Sequence, residues 1–264
     1  MNPDAVFAGS VPANYEELLV PVLFAPYAAD MAARAAALGP HAVLELAAGT
    51  GAVSRALAAA LPAARIVATD LNPAMLEVAR GRSAAANLSF EPADAQSLPF
   101  RAGAFDLVVA QFGAMFFPDK VAAYREVRRV LAPGGAWLFN VWGPLEANTG
   151  SAAIDRAVGE VLPPPRPEFI ARTPFGYHDR DAIERELREG GFAEVTIEQV
   201  DKVSPPGSAA ALARGMCFGS PLANDLAARP QADRERAVAA AAEAAGRAEA
   251  DGGLRMSALV IAAR

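Results

Sequence analysis

The fold is decided by the run VLELAAGTG, residues 43–51, in which an apolar stretch leads into a turn that contains two glycines. The apolar part is typical of a strand buried on both faces of a parallel sheet. Glycines let a ligand approach the backbone, and a helix that begins just beyond them presents free N–H groups and a partial positive charge. The run therefore predicts a strand, a ligand-binding turn and a helix in succession.

Short apolar runs alternate with helical stretches from residue 41 onward, and this alternation predicts a parallel sheet covered by helices. The expected strands are Val43–Ala47, Arg65–Asp70, Leu88–Pro92, Phe105–Gln111, Ala136–Trp142, Val195–Val200 and Arg255–Ala262. The fold class is then α/β, a Rossmann-like, seven-stranded, mostly parallel sheet with helices on both faces and an antiparallel last strand. Helical additions precede the first strand and separate the last two.

The composition argues against several classes of function. A formal net charge of −6 and a pI near 5.1 disfavour a nucleic-acid surface, which is normally basic. One cysteine rules out an internal disulfide, and with two histidines it argues against a metal centre, so we expect no metal. The longest apolar run, Phe105–Phe117, is too short to cross a bilayer and no signal peptide is visible, so we expect a cytoplasmic protein without a membrane span. The oligomeric state stays open.

Acidic residues stand at the ends of three successive predicted strands: Glu45, Asp70 and Asp94. Ligands of open α/β sheets bind beyond the carboxyl ends of the strands, so these three side chains would line the ligand crevice. An acid after the second strand can accept the hydroxyls of a ribose, and Asn72 suits the cap of the next helix better, which leaves Asp70 for a ligand. Three acids would repel a pyrophosphate but suit a nucleoside with a sulfonium and an ammonium group.

Five segments, in this order and spacing, resemble the class I S-adenosylmethionine-dependent methyltransferases. They are VLELAAGTG, ATDLNPAML, ADAQSLPF, FDLVVAQFGAMFFPD and VRRVLAPGG, which together cover about residues 40–142. The likeness is greatest to the small-molecule methyltransferases that include the ubiquinone/menaquinone biosynthesis enzymes, and GFAEV with a final apolar strand is similar to that group's last two strands. Glycine is common in the family where this chain has Ala47, which is a departure from the pattern.

The resemblance implies S-adenosylmethionine as cofactor and S-adenosylhomocysteine as product, with the following roles. The methionine part would be lined by Glu45, Ala47, Gly49, Thr50, Gly51 and Gln111, the ribose held by Asp70, the adenosine packed by Leu71 and Met75, and the adenine bound by Asp94 and Ala95. We interpret residues 1–264 as one methyltransferase domain. Its parts are an N-terminal helical cap (1–40), a cofactor-binding core (41–142), the remainder of the core (143–200), a helical insertion that serves as substrate lid or as plain packing helices (203–250), and the last strand (254–264).

Methyl transfer from a sulfonium is an in-line displacement, in which the enzyme mainly positions the reactants and excludes water. It needs no nucleophilic side chain, and it needs a general base only where the acceptor carries a proton to be removed. His178 is the candidate base, although its place before Asp179 also fits a histidine at a helix entry. We expect a fairly apolar small-molecule acceptor, because the segments outside the core carry aromatic candidates for its binding: Tyr15, Phe24, Phe175, Tyr177 and Phe218.

Other functions remain open at this point. An NAD(P)-dependent oxidoreductase fits the pair Gly49 and Gly51 with an acid about 20 residues further on, but Ser54 stands where a third glycine would lie. A non-catalytic relative that keeps the cofactor site would differ from an enzyme only in turnover. A nucleic-acid methyltransferase is disfavoured by the acidic charge.

Overall fold

A computed structural model describes Asp4 and residues 6–264. Its strands are β1 Ala42–Glu45, β2 Arg65–Asp70, β3 Leu88–Pro92, β4 Phe105–Gln111, β5 Leu131–Trp142, β6 Val195–Val203 and β7 Arg255–Ala263. They form one sheet in the order β3-β2-β1-β4-β5-β7-β6, in which the pairs β1/β2, β1/β4, β2/β3 and β4/β5 are parallel. This arrangement confirms the predicted Rossmann-like sheet, and it brings the carboxyl ends of β1, β2, β3 and β4 to one edge.

The last strand is antiparallel, as predicted. The backbone N–H of Arg264 donates to Glu194 O at 2.9 Å, and at the other end of the pair the N–H of Ser204 donates to Leu254 O at 3.0 Å. The start of β6 therefore lies beside the end of β7. Because β3 and β6 end the sheet order, each has one edge without a neighbouring strand in the described part of the chain.

The helices are α1 Val11–Asn14, α2 Ala25–Leu38, α3 Ala52–Ala60, α4 Pro73–Gly81, α5 Lys120–Val130, α6 Thr149–Val161, α7 Phe169–Arg172, α8 Arg180–Glu189, α9 Ala209–Phe218, α10 Leu222–Ala227 and α11 Gln231–Ala250. A π-helical stretch, Tyr15–Phe24, joins α1 to α2 and contains Pro21. The side chain of Asn72 accepts the N–H of Ala74 at 3.0 Å, which confirms Asn72 as the cap of α4. Asp179 caps α8 in the same way.

The fifth strand is longer than the sequence predicts. It begins at Leu131, whereas the sequence predicts a strand from Ala136, after Pro133-Gly134-Gly135. Along β4 the pairing passes from Phe105 with Leu131 to Leu107 with Ala136, so the proline and the glycines form a bulge within β5. Bulges are where a sheet accommodates proline, because proline donates no ladder hydrogen bond.

The chain divides into two compact units. The sheet unit comprises Tyr27–Val141, Tyr177–Gln199 and Leu259–Arg264. The helical unit comprises the described residues up to Pro26, Trp142–Gly176 and Val200–Ala258. In the sheet unit the core lies along β1, β2 and β4, and in the helical unit α11 packs against α6 and α9. The single-domain division of the sequence and the lid role of residues 203–250 stay predictions.

One helical run among the described residues, Val11–Leu38, is long and apolar enough to cross a bilayer by its length and composition. Core helices of globular proteins share this property, and 56% of the most apolar stretch of this run is buried inside the protein. That the chain has no membrane span stays a prediction.

Candidate functional site

The turn after β1 is built from residues in the left-handed region of backbone conformation. Ala47 has a φ of 51°, Gly49 of 57° and Gly51 of 82°. The left-handed region costs a residue with a Cβ about 1–2 kcal/mol, so glycine is favoured there. At Gly51 a Cβ would also lie 3.1 Å from the Cβ of Ala79 in α4. The glycines of the sequence run therefore serve both the conformation of the turn and its packing against α4.

Asp70, at the end of β2, connects this turn to β2 through hydrogen bonds of its carboxylate. Its Oδ2 accepts the N–H of Gly49 and its Oδ1 accepts the N–H of Asn72, each at 2.8 Å. Burial raises the pKa of the Asp70 carboxyl, and the two N–H groups oppose that rise. Each carboxylate oxygen keeps a lone pair for a further donor such as a ribose hydroxyl.

Glu45, the last residue of β1, is only 1% exposed. Its Oε2 accepts a hydrogen bond from Ser54 Oγ at 2.5 Å. Burial raises the pKa of Glu45 to about 8, while the Ser54 hydroxyl opposes the rise, Asp70 adds to it and Arg55 opposes it. Glu45 therefore differs from a solvated strand-end acid: its carboxyl has lost its water without gaining an ion pair among the described residues, which favours the neutral form at pH 7.

Asp94 and Ala95 lie in a short turn after β3 that is closed by a bridge between Asp94 and Ser97. The Oδ1 atom of Asp94 accepts the N–H of Gln96 at 2.9 Å, and its Oδ2 accepts no hydrogen bond from the described residues. The N–H of Ala93 donates to Asp70 O at 3.1 Å, which joins this turn to the end of β2. The structure therefore places all three strand-end acids at one edge of the sheet, on the adjacent strands β1, β2 and β3 and the turn after β3.

The end of β4 comes very close to the turn after β1. A Cβ on Gly113 would lie 2.5 Å from the Cβ of Ala47. Phe112 has a φ of 50°, and its N–H donates to both Asn140 O at 3.1 Å and Asn140 Oδ1 at 2.9 Å. Left-handed residues other than glycine are typical of functional sites, where the surrounding structure compensates their strain. Gln111, the predicted neighbour of the methyl group, is the residue just before this turn.

Sequence reasoning missed Phe112, Gly113 and Asn140. One signal was present, because Asn140 is a polar residue within the apolar strand Leu138–Val141, and a buried asparagine in such a strand needs backbone partners. The left-handed turn at Phe112 and the approach of Gly113 to Ala47 had no sequence signal of comparable strength.

Three further features fit a nucleoside that carries an amino-acid tail. Thr50 Oγ1 is buried and has no hydrogen-bond partner among the described residues, as expected of a hydroxyl that a ligand satisfies. Leu71 is 67% exposed directly after Asp70, which leaves an apolar side chain free to cover a base or a sugar. Met75 is buried, and its Cε lies 3.6 Å from where a Cβ on Gly49 would stand, so it supports the turn. The residues present therefore fit S-adenosylmethionine.

Three of the predicted acceptor residues belong to one chain of aromatic rings in the helical unit. Tyr15 and Phe24 are stacked with ring centroids 4.9 Å apart and planes 23° apart. Phe24 lies 6.0 Å from Trp142, and Trp142 lies 5.7 Å from Phe175. Trp142 was not among the predicted residues, because it lies at the end of a core strand. Phe218 stands apart from these pairs at the end of α9, 41% exposed.

Tyr177 belongs to the sheet unit and has polar partners of its own. Its hydroxyl donates a hydrogen bond to Glu186. Because the hydroxyl has only one proton, it accepts a hydrogen bond from the hydroxyl of Tyr124 at 3.1 Å. The ammonium of Lys120 lies 4.6 Å from the centre of the Tyr177 ring. Burial raises the pKa of both tyrosines. His178 follows, half-buried, directly before the cap of α8.

Within the described residues, no group of three or more His, Cys, Asp or Glu side chains is placed to hold a metal ion.

The sequence is similar to those of known methyltransferases. Residues 43–135 match the family model of a methyltransferase domain. The chain is 30% identical over 188 residues to the ubiquinone/menaquinone biosynthesis C-methyltransferase of Pseudomonas aeruginosa, over 66% of this chain and 72% of that protein. It is 43% identical over 104 residues to an uncharacterized protein of Mycobacterium tuberculosis, a match that spans 38% of this chain and 37% of that relative's length.

The fold is also found among solved structures. A phosphoethanolamine N-methyltransferase of Haemonchus contortus, solved with S-adenosylmethionine, has a TM-score of 0.60 and 17% identity, over 96% of this chain and 56% of that one. At this level of identity the likeness concerns the fold alone.

Proposed function

The chain belongs to the class I S-adenosylmethionine-dependent methyltransferases, and we propose that it transfers the methyl group of S-adenosylmethionine to a small, apolar acceptor. The observation that carries the proposal is the meeting of Glu45, Asp70 and Asp94 at one edge of the sheet, around a left-handed turn. The carboxylates of Asp70 and Asp94 suit a cationic nucleoside and oppose a pyrophosphate, and the buried Glu45 carboxyl offers no positive group to a phosphate. It supports S-adenosylmethionine over a nicotinamide dinucleotide.

The proposed binding roles follow from the hydrogen-bonding capacity that each residue has left. Asp70 receives the ribose hydroxyls with the remaining lone pairs of its carboxylate. The Oδ2 atom of Asp94 and the backbone of Ala95 address the adenine, and the exposed side chain of Leu71 covers the adenosine. The hydroxyl of Thr50 receives the carboxylate of the methionine part, because the N–H groups of Ala48, Gly49 and Gly51 in this turn already donate within the protein.

The proposed reaction depends on positioning. When bound, S-adenosylmethionine supplies a methyl carbon activated by its sulfonium. The chain holds the acceptor atom in line with that carbon and excludes water, and positioning of this kind can supply roughly 7–11 kcal/mol of the barrier. Where the acceptor carries a proton that must leave, we propose His178 as the base that accepts it.

The aromatic chain of the helical unit supports an apolar acceptor with a planar group. Tyr15 and Phe24 are half-buried, so part of their stacked surface is accessible, and aromatic surfaces favour offset stacking with other rings. The Pseudomonas relative is, by its name, a C-methyltransferase of ubiquinone and menaquinone biosynthesis, which supports methylation of a small molecule.

Calorimetric titration with S-adenosylhomocysteine and with NADH tests the cofactor. We expect S-adenosylhomocysteine to bind and NADH not to bind; binding of NADH alone would overturn the proposal. Asp70→Ala removes the proposed ribose acceptor, so we expect it to abolish most of the affinity while circular dichroism shows an intact fold. Glu91→Ala, which removes an exposed carboxylate from β3, is the control and should bind as the wild type does. Unchanged affinity in Asp70→Ala would count against the assignment.

Turnover is tested separately with methyl-labelled S-adenosylmethionine and a panel of small aromatic acceptors. We expect label to appear in at least one of them, and Tyr15→Ala to raise the KM for that acceptor more than it changes kcat. Cofactor binding without transfer to any acceptor would assign the chain to the non-catalytic relatives of the family instead.

A further inference from the structure

We propose that Glu45 is neutral in the ligand-free protein and releases its proton to solvent when the cationic end of the cofactor binds, so that cofactor binding and proton release are coupled. The inference rests on the proposed function for the identity of the ligand. Its other support is the way in which β1, β2 and α3 enclose this one carboxyl.

The position of Glu45 is fixed by its backbone. Its carbonyl accepts a hydrogen bond from Thr69 Oγ1 at 2.8 Å, and the N–H of the next residue, Leu46, donates to Val109 O at 2.8 Å. In the sheet Glu45 pairs with Ala68 on one side and with Val109 on the other. The backbone of Glu45 is therefore fixed between two strands, and its side chain is buried beneath the turn that follows.

The carboxyl itself has few partners. Oε2 accepts from Ser54 Oγ at 2.5 Å, and the backbone N–H of Ser54 also interacts with the carboxyl. Both of these donors belong to one residue and neither carries a charge. An ionised carboxylate that has lost its water and has only such neutral donors is disfavoured, whereas the neutral acid costs far less to bury.

Two charged groups face Glu45 from the elements around it, and they oppose one another. Arg55, on α3, favours the carboxylate but uses its Nη1 to donate to Thr50 O at 2.8 Å. Asp70, on β2, disfavours the carboxylate, and β4 presents the uncharged Val109. Burial is therefore the largest influence, and it raises the pKa of Glu45 to about 8.

A cation at the turn would reverse this balance. An opposite charge within about 4–6 Å favours the ionised form of a carboxyl, and the methionine part of the cofactor carries an ammonium and a sulfonium. The proton that leaves Glu45 passes to solvent, and the carboxylate that remains pairs with the bound cation. By linkage, the affinity for the cofactor should then rise about tenfold for each unit by which the pH increases toward 8, and level off above pH 8.

Calorimetry in two buffers measures the released proton directly. S-adenosylmethionine is titrated at pH 7 into wild type and Glu45→Gln, once in phosphate and once in Tris, whose ionisation enthalpies differ. We expect the wild type to release about one proton more than Glu45→Gln, because the amide has none to lose. Taking this difference removes any contribution from the ligand's own amine. Glu77→Gln, the same change at an exposed site on α4, is the control and should release as many protons as the wild type.

The outcomes separate this inference from the proposed function. Binding with the same proton release in wild type and Glu45→Gln would overturn the inference alone. No binding of S-adenosylmethionine by the wild type would overturn the proposed function and the inference with it. If Glu45→Gln does not fold or bind, the wild-type affinity between pH 6 and pH 8 decides: a rise of about fiftyfold as the pH increases supports the coupling, and a flat profile overturns it.

Discussion

Substituting Gly113 tests how closely the ends of β1 and β4 approach one another. Gly113 has φ −110° and ψ −35°, a conformation open to alanine, so Gly113→Ala introduces no backbone strain. Its new Cβ would stand 2.5 Å from the Cβ of Ala47, whereas carbon atoms pack best at about 3.5–4.0 Å. The double hydrogen bond of Phe112 to Asn140 limits how far the β4 end can retreat. We expect a loss of about 1–3 kcal/mol in the free energy of unfolding, the range of overpacked cores.

Replacing Ala47 with glycine removes the Cβ that the new side chain of Gly113→Ala would meet. In Ala47→Gly the nearest atom to the new Cβ of Gly113→Ala is the residue 47 Cα at 3.8 Å, an ordinary contact. Ala47→Gly alone should change stability little, because relief of about 1–2 kcal/mol at the left-handed position is offset by about 0.4–1 kcal/mol of unfolded-chain entropy. The double variant should therefore recover most of the loss, which gives a coupling energy of about 1–3 kcal/mol.

Urea unfolding of the four proteins, followed by tryptophan fluorescence, measures this coupling. Gly81→Ala is the control, since a Cβ there meets nothing within 4 Å. The reasoning would be refuted if Gly113→Ala lost the same free energy in both backgrounds, because the contact between the two Cβ atoms would then not be the cause.

Two further predictions concern stability. Because burial raises the pKa of Glu45 from its ordinary 4.5 to about 8, the folded chain keeps a proton that the unfolded chain releases, and the wild type loses stability as the pH rises from 4.5 to 8. Denaturant unfolding should show Glu45→Gln free of this loss, which reaches up to roughly 5 kcal/mol at pH 8; parallel pH profiles for the two proteins would contradict it. Gly246→Ala, at an exposed position within α11 where a Cβ meets nothing within 4 Å, should raise the free energy of unfolding by about 1 kcal/mol. Gly252→Ala has the same open space around its Cβ but a φ of 123°, so it should lower the free energy of unfolding instead. Thermal unfolding of both variants shows whether backbone conformation, and not the space for a Cβ, decides the effect.

The parts of the fold that the sequence predicts well are those decided by local chemistry. β2, β3 and β4 begin and end at the predicted residues, because β2 and β4 are short apolar runs and β3 alternates apolar with polar residues. The cap Asn72 and the strand-end acids followed from the same local rules. Because β1, β2 and β3 pair in parallel, their carboxyl ends lie at one edge of the sheet, and the three acids that are far apart in the sequence lie there together.

What the sequence did not predict depends on contacts between distant residues. The neutral form of Glu45 requires that the elements around β1 bury the carboxyl and keep water out, although Ser54 of α3 opposes it by donating a hydrogen bond. The bulge at Pro133 requires β4 to pair with residues on both sides of it. The ring pair of Trp142 and Phe175 joins a core strand to a segment beyond α7, which no local pattern signals.

The order of the sheet has a consequence for association between molecules. Strands with a free edge can act as templates for the strands of other chains, which leads to aggregation. The outer strand β3 is five residues long and ends in Pro92, which has no N–H to donate. The outer strand β6, nine residues long, carries exposed Glu198 and Asp201, and Arg34 of α2 reaches Glu198 at 2.8 Å. Within the described residues, proline in β3 and charged side chains on β6 thus disfavour the pairing of either outer strand with a strand of another molecule.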